Sequence, residues 1–371
     1  MRVLFQGAGA IGIAGAALFG GRHETVVVSR SRRKSPSAAF PQRVSLFKAP
    51  VFDGAEDTHA STVAATRRVT VTDWAGIEAA GGFRLHSDAS SDDAFGRADD
   101  ARDSATGRGV TIAQARWYAQ RGTRRSARDR RVQNSWDLVV LSTRPGDLDE
   151  DVAAAIRAVA PRWVAITSQV DGDLDVARSQ FPGAEVVIFG PAFLSERFDP
   201  SPTIPAGREV RYWSPFGAPV FLAAGPKHAV RKLARELGSL VVPVPLDALL
   251  VSPAVFMPFV AELSVRGGDW DALLDHLDLP SAAAAEAVEA ASGFRVPIVP
   301  EAARAVFEVI ERISPISLPG YAGRHFARHE GQTLDMLDGW IARARDHVAL
   351  SELAAEMRQI IDRRSWILQS R

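Results

Sequence analysis

Val3-Leu4-Phe5-Gln6-Gly7-Ala8-Gly9-Ala10-Ile11-Gly12 opens the chain, continues through the small apolar stretch Ile13 to Phe19, and reaches Thr25-Val26-Val27-Val28 after the pair Gly20-Gly21. A short apolar run, a glycine-rich turn, a small-residue helix and a second β-branched run imply strand, turn, helix, strand. The glycine spacing is G-x-G-x-x-G, and each position has a separate physical reason to lack a side chain. Gly7 permits the tight turn, Gly9 lets backbone approach a pyrophosphate, and Gly12 lets the helix lie close on the strand. The unpaired N–H groups at the helix start then face an anion. Gly7, Ala8, Gly9, Ala10, Ile11 and Gly12 are therefore expected to bind a dinucleotide.

The end of the second strand selects between dinucleotides. A carboxylate there accepts hydrogen bonds from the NAD ribose, whereas arginine accommodates the 2′-phosphate of NADP. The chain has Arg30, Arg32, Arg33 and Lys34, with no carboxylate between Glu24 and Asp53. Guanidinium groups match phosphate in charge and in geometry. NADP(H) is the expected cofactor, with Arg30 and Arg32 as contacts.

Further along, Leu138-Val139-Val140-Leu141-Ser142 reads as a strand, closed by Ser142-Thr143-Arg144-Pro145-Gly146 before a helix near 148–158. Trp163 to Thr167 and Val186 to Gly190 read as strands, and the segment up to about Gly225 as extended. Strands alternating with helices imply a parallel, doubly wound sheet of Rossmann type, with ligands at the carboxyl ends of its strands. Arg144, Gln169 and Asp171 are expected at that edge. From about Pro226 the text turns helical: 228–237, 282–291, 301–313, 333–347 and 351–363, with Asp247 to Val265 an apolar stretch broken by Pro253 and Pro258. The expected fold is α/β, an N-terminal dinucleotide domain over 1–240 followed by an all-α domain over 241–371, with a substrate cleft between them. The pattern degrades between residue 31 and Trp136. Residues 97–131 hold ten arginines and four aspartates with almost no apolar periodicity. An insertion at about 95–133 that buries too little to order itself is the first expectation there, with a short helix around 112–119 and a basic patch for an anionic substrate or partner as alternatives.

Composition narrows the chemistry. The 371 residues carry 44 basic and 44 acidic side chains, with 46% apolar residues and no cysteine. Zero net charge argues against a nucleic-acid coat or a basic membrane-surface protein. No cysteine means no disulfide, thiolate metal site or cysteine nucleophile. No run resembles a membrane span or a signal peptide, so a cytoplasmic protein is expected. The expected partner is a small-molecule substrate, without nucleic acid or membrane, and a homodimer is compatible with this plan. Only Lys34, Lys48, Lys227 and Lys232 are lysines, so none beyond 232 can serve as an acid or base.

The Gly7–Gly12 motif, Arg30, the Asp137–Arg144 run D-L-V-V-L-S-T-R and the Gln169-Val170-Asp171-Gly172 turn together resemble the ketopantoate reductase family. The likeness extends to Phe189-Gly190-Pro191-Ala192-Phe193 and to Asp335-Met336-Leu337-Asp338-Gly339-Trp340 followed by His347. The resemblance implies NADPH-dependent reduction of a 2-oxo acid. It aligns Arg144 with a cofactor-contacting lysine, Asp171 with an asparagine, Thr333 with a substrate-contacting glutamate and Asp338 with a further asparagine. The family's general-acid lysine has no counterpart in Asp247 to Glu262. Charge that builds on the carbonyl oxygen during hydride addition then needs another donor. Asp335, His325 and Glu262 are the catalytic candidates, with His329, His228 and Arg266 beside them. Three readings stay open: a reductase of a 2-oxo acid, ketone or imine; a nucleotide-binding sensor or scaffold without turnover; and an opine-type dehydrogenase.

Overall fold

The computed structural model describes residues 1–29, 40–47, 63–79, 136–198, 209–213, 219–314, 319–322 and 330–369. Arg30, Arg32, His325, His329 and the arginine-rich segment lie outside the described residues.

The expected strand–helix–strand is present as β1 (Arg2–Gln6), α1 (Ala10–Phe19) and β2 (Glu24–Val28), with β1 and β2 parallel and in register from Arg2↔Glu24 to Gln6↔Val28. After these come β3 (Phe40–Phe47), β4 (Val63–Thr72), α2 (Trp74–Ala79), β5 (Leu138–Leu141), α3 (Glu150–Ala158), β6 (Trp163–Ile166), α4 (Asp173–Gln180) and β7 (Glu185–Pro191). The remaining strands are β8 (Leu194–Phe198), β9 (Glu209–Trp213), β10 (Phe221–Ala224) and β11 (Val241–Pro243), with α5 (Lys227–Leu237) preceding β11. All eleven join one sheet in the order β11-β10-β7-β6-β5-β1-β2-β4-β3-β9-β8. Its centre, β7-β6-β5-β1-β2-β4, is parallel throughout and is the doubly wound order. The flanks turn mixed: β10 runs antiparallel to β7, β3 to β4, and β8 to β9.

Helix α1 explains its own composition. Gly12 through Ala17 and Phe19 are all buried, because the sheet lies under one side while β8 and β9 reach over another. A helix covered on several sides is apolar all round rather than amphipathic. A Cβ on Gly15 would lie 2.7 Å from the Phe5 ring, so only a glycine allows this helix–strand spacing.

The C-terminal part is helical: α6 (Leu246–Val265), α7 (Trp270–Asp275), α8 (Asp278–Ser292), α9 (Pro300–Ile313), α10 (Glu330–Ile341) and α11 (Val348–Gln369). Two expectations change. Pro253 and Pro258 do not break α6, which runs unbroken for 20 residues. Each proline forfeits one backbone bond, and burial of Ala254, Pro258, Phe259 and Ala261 against neighbouring helices holds the helix through both. By length and mean hydropathy α6 would also pass for a membrane span. It packs instead against α8, α10 and α11, as the central helix of its domain. The second change concerns α10, which ends at Ile341, well before His347. The fully folded-in Glu286 of α8 then accepts the Ala349 and Leu350 N–H groups at 3.2 and 2.8 Å, satisfying orphan donors at the start of α11.

Candidate functional site

The glycine loop lies at the carboxyl edge of β1. Gly7 sits at φ +110°, a backbone region that L side chains rarely adopt, and its N–H donates to the Val28 carbonyl at 2.8 Å. A Cβ on Gly12 would run into the Gly7 carbonyl and come within 2.9 Å of Ser142 Oγ. Gly9 differs from both: it is exposed, and a Cβ there would meet nothing within 4 Å. Two glycines are thus fixed by protein packing, and the third keeps an outward backbone face bare. Gly9 also caps α1 with no side-chain hydrogen bond, and no acidic residue stands in the first turn. That leaves the positive end of a ten-residue helix without a carboxylate of its own, the arrangement that receives a diphosphate. The residues present therefore fit a dinucleotide.

Ser142, just past β5, holds this loop. Its Oγ lies 2.9 Å from the Gln6 carbonyl and 3.0 Å from the Gly7 carbonyl, so one hydroxyl hydrogen serves either. Its own N–H donates to Gln6 at 2.9 Å. Sequence reasoning placed Ser142 in a strand and gave it no role, although a hydroxyl directly after a central strand was the available signal.

Arg144 and Asp171 occupy the same edge but are already engaged. Arg144 Nε donates to Asp173 Oδ2 at 3.0 Å and Nη2 to Asp173 Oδ1 at 3.2 Å, while Nη1 pairs with Asp335 of α10. Hydrogen bonding to Asp173 is the chief reason the guanidinium is held above its ordinary value. Asp173 is buried in the first turn of α4, next to Gly172 at φ +81°, and also receives the Ser168 hydroxyl. Asp171 accepts from Arg343 at 2.9 Å, and its Cβ faces Gly339 of α10. Two ion pairs thus join the loops after β5 and β6 to the helical domain. Neither Asp173 nor Arg343 was singled out from sequence. Gln169 stands beside Gly190, and its Oε1 is buried with no partner among the described residues.

The catalytic candidates separate. Asp335 reaches the sheet edge through Arg144, and Asp338, on the same helix, pairs with Arg358 of α11. Thr333 is buried. Glu262 is elsewhere: Leu249 packs on Gly190, and at a rise of 1.5 Å per residue Glu262 lies roughly 20 Å further along α6. Its side chain is fully buried, Oε1 accepts from Arg266 Nε at 2.7 Å, and Oε2 has no partner among the described residues. His325 is outside the described residues.

Burial pushes the Glu262 carboxyl above the usual range, and Arg266 pulls it only partly back. A carboxyl raised in the fold binds its proton more tightly folded than unfolded. The stability this gives is therefore fully present below the unfolded value and is lost as pH rises from there through the raised one. Glu262→Gln, permanently neutral, is expected to flatten that part of the profile. Urea midpoints of both proteins between pH 4 and 8 check this; a wild-type-to-variant difference that stays constant with pH rejects it.

A glycine loop at the carboxyl edge of a doubly wound α/β sheet is the arrangement of dinucleotide-binding folds. Among solved structures, a dimeric ketopantoate reductase from Staphylococcus aureus is similar over 97% of this chain and 98% of its own, at 10% identity and TM-score 0.55. A 2-dehydropantoate 2-reductase from Methylococcus capsulatus is similar over 98% and 97%, at 15% identity and TM-score 0.52. D-mandelate dehydrogenase in complex with NADH is similar over 98% and 99%, at 12% identity and TM-score 0.52. The chain has the ketopantoate reductase fold. No family model and no curated protein matches the sequence.

Proposed function

We propose that this protein is an NADPH-dependent oxidoreductase that reduces the C=O or C=N group of a small 2-oxo acid, ketone or imine at the edge between sheet and α10. The observation that carries the reading is the bare, exposed Gly9 at the head of α1, between two glycines whose missing side chains are explained by packing. The fold neighbours, ketopantoate reductases and a mandelate dehydrogenase, support the same chemistry. When bound, a reduced nicotinamide would supply hydride to the carbon of the C=O or C=N group, whose oxygen or nitrogen would take up a proton. Gly7 to Gly12 and Ser142 would hold the diphosphate end, and Arg30 and Arg32 the 2′-phosphate. Asp335 is the candidate carboxyl group brought to the edge, anchored by Arg144.

A reading without turnover, as a nucleotide-responsive sensor, draws on a specific observation. Arg144, Asp335, Asp171 and Arg343 all already pair with one another or with Asp173. Titrating NADPH and NADH against tryptophan fluorescence, then following NADPH oxidation with ketopantoate, other 2-oxo acids and imines, separates the two. Turnover supports the reductase, binding alone supports the sensor, and no binding of either nucleotide rejects both. Arg30→Asp is expected to weaken NADPH binding by about tenfold or more, one charge-assisted contact being worth about 1.5–3 kcal/mol, while leaving NADH binding largely unchanged. Equal loss for both nucleotides would remove Arg30 from the 2′-phosphate site.

A further inference from the structure

Arg144 offers more donors than its protein partners use. A guanidinium carries five N–H groups in one plane, along a side edge made by Nε with one Nη and an end edge made by both Nη atoms. In Arg144 the side edge is filled. Nε and Nη2 hold the two oxygens of buried Asp173 at 3.0 and 3.2 Å, which fixes the plane of the group. The end edge is half used: Nη1 donates to one oxygen of Asp335, and Nη2 has no second partner among the described residues. Asp335 is half-exposed, and Arg144 is its one ion-pair partner among the described residues. Arg343, which pairs with Asp171 at 2.9 Å, is a different case, with that single bond among the described residues and no buried carboxylate to orient it.

A guanidinium anchored on one edge by a buried carboxylate, and closed on the other by a loosely held one, is a carboxylate site occupied from within. It stands two residues beyond Ser142, whose hydroxyl lies against the Gly7 carbonyl, so it shares the glycine loop's edge of the sheet. We propose that the Nη1–Nη2 edge of Arg144 binds the carboxylate of the substrate in place of Asp335, so that the substrate is an acid with a carboxylate next to its C=O or C=N group. This rests on the oxidoreductase reading and narrows its substrates. The exchange conserves charge, one carboxylate for another. The incoming group makes two parallel N–H···O bonds where Asp335 makes one. Asp335 turns to the water that already reaches half of it, and screened pairs of this kind are weakly held. A neutral ketone, ester or simple imine brings no anion to replace Asp335, so the internal carboxylate also discriminates against those compounds.

Oxamate, a 2-oxo acid analogue whose amide carbonyl resists hydride, and its neutral ethyl ester test this on the full chain saturated with NADPH, read by tryptophan fluorescence. The wild type is expected to bind oxamate at millimolar concentrations and the ester about tenfold more weakly or worse. Asp335→Asn should bind oxamate about two- to fivefold more tightly, because the internal competitor is gone. Arg144→Met with Asp173→Leu removes the buried pair as a unit, which keeps the fold, and should weaken oxamate by about tenfold or more. Thermal melts check its folding. Arg144→Lys, which keeps the charge but not the planar edge, should weaken oxamate severalfold and serves if that pair fails to fold. NADPH affinity, measured separately, should be unchanged in these variants. Absence of oxamate binding, equal binding of acid and ester, or an oxamate affinity indifferent to the variants overturns the proposal and leaves the oxidoreductase reading in place. So does an Asp335→Asn protein that gains affinity for NADPH and none for oxamate. A wild type that binds neither NADPH nor NADH removes that reading, and the proposal with it.

Discussion

Gly9→Asp is expected to leave the protein folded and to abolish useful dinucleotide binding. The position is exposed, its backbone is extended at φ −80°, ψ −179°, and an added side chain meets nothing within 4 Å. Aspartate is also a favoured helix N-cap, worth about a few tenths of a kcal/mol of stability over glycine, so the melting temperature should hold or rise slightly. For a diphosphate the same change is severe. The new carboxylate takes the N–H groups at the head of α1 and repels an anion approaching them. Like charges brought together cost several kcal/mol, which corresponds to a loss of about 100-fold or more in affinity. Gly12→Ala is the internal control with the opposite logic. Its Cβ collides with the Gly7 carbonyl and crowds Ser142, an overpacking that costs about 1–3 kcal/mol of stability and shifts the loop as well. Calorimetric titration with NADPH, paired with thermal melts, reads both outcomes. Wild-type affinity in Gly9→Asp would remove the glycine loop from the binding site.

The contrast between those two glycines shows what the sequence could and could not convey. Strand, turn, helix and strand were legible because every boundary from Arg2 to Val28 carries its own signal, and the bounds agree within a residue or two, except that α1 starts at Ala10. Strand β3 was not legible, since Pro41 and Arg43 interrupt its apolar pattern. The structure tolerates Pro41 because β9 pairs with β3 only over Val44 to Leu46, so at Pro41 one neighbour alone, β4, is in place. The same limit applies to Pro253 and Pro258. A local rule predicts a break, and tertiary packing of α6 overrides it. At the site, residue types were readable but their commitments were not. Arg144 looked like a cation awaiting a phosphate; its partners, Asp173 and Asp335, lie 29 and 191 residues away in sequence. No spacing rule reports a contact of that range. Glu262 shows the converse: a carboxylate of the right type on the right helix, placed by the length of that helix far from the sheet edge.

Arg144 is therefore expected to matter for stability at least as much as for binding. Its guanidinium is about one-quarter exposed, whereas the Asp173 carboxylate it neutralises is nearly buried, at 6%. Arg144→Ala leaves that carboxylate in low dielectric with, among the described side chains, the Ser168 hydroxyl as its remaining donor, and breaking one side of a buried pair costs about 3–5 kcal/mol. Asp335, half exposed, is a different case: Asp335→Asn removes a solvent-screened ion pair and should cost no more than about 1 kcal/mol. Removing both charges together, as Arg144→Met with Asp173→Leu, should recover much of the loss, because a buried pair replaced by apolar groups of similar size is close to neutral. Urea unfolding at pH 7 of the three variants and the wild type gives this ranking directly. An Arg144→Ala cost below about 1 kcal/mol would mean that Asp173 is solvated and the anchor is superficial. If the ranking holds, Asp335→Asn becomes the informative probe of chemistry. It keeps the fold and the Arg144–Asp173 pair while freeing one guanidinium nitrogen at the sheet edge. NADPH affinity should then rise by severalfold if that nitrogen faces the cofactor's negative charge, and turnover should fall if the Asp335 carboxyl takes part in the reaction.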